Sequence, residues 1–110
     1  MMDKMEYTKE TIFTFDAIID YAPGAIVSKT IINKTTGTVT LFSFDAGQAL
    51  SEHTAPFDAL VQVVEGKALI TINHIDHELK QGESIIMPAG APHAVMAIEK
   101  FKMILTMIKS

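Results

Sequence analysis

The sequence predicts one all-β domain built as a sandwich or barrel, and three observations carry that expectation. The chain has 110 residues, the length of a single domain with one core. Short segments rich in β-branched and aromatic residues alternate with Gly, Pro, Asn and Asp turn signals, as in folds made of many short strands. Only one segment fits a helix, and it is brief.

In chain order, residues 1–10 are polar and charged, without the apolar stretch a secretion signal needs. Residues 16–21 (DAIIDY) suit a helix of at most a turn or two, because Ala22-Pro23-Gly24 stops it. Residues 38–44 (TVTLFSF), 59–64 (ALVQVV), 67–73 (KALITIN), 84–87 (SIIM) and 101–108 (FKMILTMI) read as strands. Turn signals separate them at residues 34–37, 45–47, 65–66, 73–76, 81–82 and 88–90. Residues 36–110 are expected to form the barrel. Residues 1–35, with the first strand or strands, are expected to pack on it or on a dimer partner.

Side chains alternate across a strand, so Ala59, Val61 and Val63 share one face, with Leu60, Gln62 and Val64 on the other. Phe101, Met103, Leu105 and Met107 likewise oppose Ile104 and Ile108. A sheet with one wet face is polar there. These strands are apolar on both faces, and apolar residues make up 48% of the chain, so something covers the outside. A homodimer is the simplest cover and the N-terminal segment the alternative.

Composition removes several function classes. The net charge is −4, and all basic residues are scattered lysines, which disfavours nucleic-acid binding. No apolar run approaches the ~18–20 residues that span a bilayer. With no cysteine there is no thiol catalysis, zinc-thiolate site or disulfide. A cytoplasmic protein is expected. No nucleophile–base pair, phosphate-binding loop or carboxylate dyad is visible, and no catalytic residue is assigned.

Two groups of residues are more specific. Gly47, with His53 six residues on, precedes Glu65-Gly66 at the close of an apolar strand. Gly82, Pro88, Gly90 and His93 form the second group. In order and spacing they resemble the two motifs of the small single-domain cupins (cupin type-2 conserved barrels), over residues 44–95, about half the chain. The resemblance implies a jelly-roll barrel (double-stranded β-helix). It also implies one divalent metal held by three histidines and a glutamate. Carried over, the first histidine is His53 and the last is His93. The second histidine position holds Ala55, the glutamate position Ala59, and the asparagine that often ends the second motif is Ala97. Alanine donates nothing to a metal, and two imidazoles alone hold a divalent ion weakly. Any Fe, Mn, Zn, Ni or Cu ion is therefore expected to be loosely bound. Asp58 and Glu52 adjoin ligand positions but face away unless a strand bulges. His74 falls in a turn, and His77 on a short segment that is not usually a ligand position.

The expected function is binding of a small, partly apolar organic molecule, with His53 and His93 as polar anchors. Phe57 at the mouth and Met87 and Met103, with Met96 and Met107, would form apolar walls. The alternative is a metal-dependent enzyme of the oxygenase or isomerase type using His53 and His93.

Overall fold

The computed structural model describes residues 7–110. One short helix, α1 (Phe15–Ile18), precedes nine strands: β1 (Ile26–Lys34), β2 (Gly37–Phe44), β3 (Ala49–His53), β4 (Asp58–Glu65), β5 (Lys67–Ile72), β6 (Ile75–Lys80), β7 (Ser84–Met87), β8 (His93–Ala97) and β9 (Phe101–Ile108). They form a five-stranded sheet, β1-β2-β9-β4-β7, and a four-stranded sheet, β3-β8-β5-β6. All pairings are antiparallel. From β2 to β9 the chain crosses repeatedly between the sheets, the path of a jelly roll. The strands expected from alternation are present. β3 and β8, too polar or too short to read from periodicity, complete the second sheet. β1 pairs with β2 along its length, so the sheet begins before residue 36.

The inner faces carry the expected side chains. Val61 and Val63 from β4 and Phe101 and Met103 from β9 meet Ile70, Leu79 and Val95 of the other sheet in one buried core. Phe44 and Phe101, opposite each other in the register, stack with ring centres 4.5 Å apart. They close one end of the barrel, and the turn there demands glycine. Gly66 has φ +80, and a Cβ on it would lie 2.0 Å from the Lys100 carbonyl oxygen. At the other end Asn73 and His74, both with positive φ, make the two-residue turn between β5 and β6. His74 is exposed there.

The outer face of β1, β2 and β9 carries a second core. Ile31, Leu41, Val39 and Ile104 pack beneath Ile18, Ile19, Phe13, Phe15 and Tyr7. The N-terminal segment therefore covers this half of the apolar outer face. A four-residue helix cannot hold itself together, and α1 stays in place because Ile19 beside it is buried. The cover stops before β7: Ile86 is 62% exposed and Ile108 54%.

A polar cluster clamps the segment at the closed end. The Tyr21 hydroxyl donates to Glu65 Oε2 at 2.5 Å, and the Ser43 hydroxyl donates to the Asp20 carbonyl at 2.8 Å. Lys100 and Lys102 Nζ lie 4.8 and 5.2 Å from the Tyr21 ring centre. Lys102 is 5% exposed, and its Nζ reaches Asp16 Oδ1 at 3.8 Å. Burial pushes the Tyr21 phenol well above its ordinary range, and the Glu65 carboxylate pushes it further. Asp45 accepts backbone N–H bonds from Gly24 at 2.7 Å and Ala46 at 3.0 Å, which hold its carboxyl below the usual range.

Candidate functional site

The open end of the barrel brings together the two histidines that the sequence places forty residues apart. His93 begins β8, with Ile72 of β5 on one side and His53 of β3 on the other. A regular β3–β8 ladder continued from the Leu50–Val95 pair would set Glu52 opposite His93. The register shifts between Leu50 and His53, and this one-residue bulge puts His53 there instead. Nothing in the local sequence announces the bulge.

Each ring is oriented by a backbone carbonyl. His53 Nδ1 lies 2.8 Å from the Ser51 oxygen and His93 Nδ1 lies 3.1 Å from the Ala91 oxygen. A carbonyl only accepts, so each Nδ1 carries the proton and donates. The two Nε2 atoms then meet at 3.1 Å. In uncharged rings both are bare lone pairs, which repel unless a proton or another cation lies between them. The ring centres are 4.3 Å apart and the rings edge-on, so the two Nε2 atoms are closer to each other than the ring centres are. His93 is 6% exposed, whereas His53 is open to solvent.

Behind the pair is a cavity of about 60 Å³. Leu50, Val95 and Leu105 supply part of its wall, and Met87, Met103 and Met107 supply much of the rest. Ala55 and Ala59 also line it, so the two positions that lack the family's ligands do face the site. Among the described residues, no carboxylate lines it.

The neighbouring carboxylates have other partners. Asp58 Oδ1 accepts from the Ala89 backbone N–H at 2.8 Å. With the Gly90 N–H to Ala55 carbonyl bond, 2.8 Å, it fastens the loop before β8. Glu52 lies 3.3 Å from His74 Nε2. His77 lines a groove between β6 and β7, away from the pair. Met96 is on the outer side of β8 and exposed. Phe57 is half-buried and is not among the residues lining the cavity. Met107, also expected in the wall, lines the cavity, and the register makes it a direct neighbour of Ala59.

These residues fit the family's divalent site only in part. His53 and His93 have closely placed Nε2 atoms and the carbonyl-anchored Nδ1 atoms typical of metal-bound imidazoles. Among the described residues, no group of three His, Cys, Asp or Glu side chains comes together. A closed three-histidine, one-glutamate shell is not available here.

Two facing antiparallel sheets with paired motif histidines at one mouth define a cupin-type barrel. The cupin domain model matches residues 40–109, and the chain belongs to the cupin family. It is similar to a conserved protein of unknown function from Streptococcus pyogenes, 31% identical over 98% of both chains, TM-score 0.89. It also resembles a cupin 2 conserved barrel domain protein from Leptotrichia buccalis. That likeness is 39% identical, TM-score 0.82, over 84% of this chain and 45% of the other. A cupin superfamily protein from Desulfitobacterium hafniense shares the fold at 23% identity, over 94% of each chain, TM-score 0.87. No curated protein matches. Among the described residues no helix is long and apolar enough to cross a membrane.

Proposed function

We propose that this cupin is a binding barrel that holds a small, partly apolar guest at its open end, with His53 and His93 as polar anchors. The observation that carries this reading is the pairing of a converged histidine couple with an apolar cavity where the family's other two ligands are replaced by Ala55 and Ala59. The cavity, about 60 Å³, lies well below the roughly 300–1,000 Å³ of drug-sized pockets. The guest therefore has few non-hydrogen atoms. Ligand-observed NMR with a library of small acids, alcohols, amines and carbonyl compounds tests the reading. Hits that bind the parent and are lost in His93→Ala support it; a library with no His93-dependent hit counts against it.

A second reading has an observation of its own. The facing Nε2 lone pairs call for a cation, so a divalent metal completed by water is the alternative, with metal-dependent enzymatic chemistry as its consequence. Such an ion would polarise a bound carbonyl or activate dioxygen, while this chain's part would be to orient both imidazoles through the Ser51 and Ala91 carbonyls. Elemental analysis of protein purified without chelator decides between the readings. One equivalent of metal, lost in His53→Ala, favours the enzyme; none, even after incubation with excess ions, favours the organic guest.

We further infer a homodimer, because Ile86 and Ile108 leave an apolar strip beyond the N-terminal cover. Sedimentation at micromolar concentration as a monomer removes that part.

A further inference from the structure

The strand register places methionine on both sides of the position where the family's carboxylate would stand. Ala59 is opposite Met87 of β7 in one ladder and opposite Met107 of β9 in the other. Directly paired residues have Cβ atoms only ~4.5–5.5 Å apart. A methionine side chain is long, unbranched and adaptable, and the methyl group of Ala59 leaves the space between the two open. Both methionines line the same cavity as His53 and His93. The hard oxygen ligand has been removed, and two soft thioethers flank its place.

We propose that His53, His93, Met87 and Met107 form a site for a soft monovalent cation, Cu(I). The proposal rests on the second, metal reading above and replaces its divalent ion with a monovalent one at the same histidine pair. Three features select this ion. Thioether and imidazole together favour Cu(I) over the harder divalent ions. Among the described residues no carboxylate lines the cavity, and the cost of bringing an ion into an apolar site grows with the square of its charge, so a monocation is tolerated where a bare dication is not. The Nε2 atoms, 3.1 Å apart, are closer than two metal–imidazole bonds of about 2.0–2.1 Å laid end to end, so one ion reaches both. The Nδ1 donations to the Ser51 and Ala91 carbonyls fix each ring with its lone pair toward the ion. The solvent-exposed His53 provides the way in.

The test is anaerobic titration of the full chain with Cu(I) against the chromophoric competitor bicinchoninate, with copper K-edge absorption on the loaded protein. The parent should take one equivalent, and the spectrum should contain both nitrogen and sulfur neighbours. Met87→Leu/Met107→Leu conserves core volume and is checked by its melting curve. It should weaken Cu(I) binding at least about tenfold while leaving Zn(II) binding unmoved. A parent that fails to compete, a double variant that binds Cu(I) as tightly as the parent, or a spectrum with nitrogen neighbours alone overturns the proposal. If Cu(I) fails while small organic hits still bind in a His93-dependent way, the binding barrel stands without its metal; if neither binds, both readings fall.

Discussion

The two ends of this barrel are made from the same strands and are built to opposite specifications. At the closed end, β4 and β9 supply Val63 and Phe101, the Phe44–Phe101 stack fills the space between the sheets, and the Tyr21–Glu65–Lys102 cluster fastens the N-terminal cover outside. At the open end the same two strands supply Ala59 and Met107, and a cavity remains. Packing at close to crystal density is what stabilises a small β-domain. A void lined by one buried and one exposed histidine is kept at the expense of that packing, and the proposed binding function rests on it. The stable half positions the other: β4, β8 and β9 run from the filled core into the cavity and carry its register with them.

The largest expected effect comes from breaking the closed end. Phe101→Ala removes half of the aromatic stack and should cost about 3–5 kcal/mol of stability by urea unfolding. A loss below ~1 kcal/mol would show that this end is not the packing anchor. The opposite sign is expected at the open end. Ala59→Val adds two carbons to the cavity and should stabilise by up to about 1.5 kcal/mol while abolishing guest binding. Destabilisation there would mean that the space is already filled by the methionines. Tyr21→Phe takes the donor from the half-buried Glu65 and should cost about 1 kcal/mol. It should also reduce the alkaline loss of stability. Because the folded phenol is pushed above its ordinary value, stability present below pH ~10 is lost as pH rises past it.

The smallest effect is at Asp45, whose folded carboxyl is held low by two backbone donors. Its contribution is present above the ordinary carboxylate value of about 3.9 and is lost as pH falls through the lower folded value. Asp45→Asn should therefore flatten the acid side of a melting-temperature profile without altering the alkaline side. An unchanged acid limb would assign that dependence to other carboxylates.

Much of the framework was legible before any coordinates. Period-two alternation in residues 59–64 and 101–108 gave the right inner faces, because a strand's side chains alternate whatever its surroundings. Gly66 was legible as a turn, though the sequence does not reveal the reason its side chain must be hydrogen, the Lys100 carbonyl just before β9. The site was legible in parts. His53 and His93 could be named from the motif resemblance, and Ala55 and Ala59 as missing ligands. Phe57 was assigned to the cavity on proximity in sequence, and its side chain does not line it. Glu52 and Asp58 were left open as replacements; Glu52 lies against His74 instead, and Asp58 accepts the Ala89 N–H.

By itself, the sequence determined the all-β class, the alternation that makes two sheets close on one core, and the loss of two family ligands. These follow from side-chain chemistry and short-range backbone preference, which act within a few residues. The tertiary structure alone decided that a bulge carries His53 rather than Glu52 to His93, that the N-terminal segment covers one outer face, and that Met87 and Met107 flank Ala59. Each of these depends on which strands become neighbours and in what register, and contacts between segments far apart in the chain are set only when the whole barrel closes.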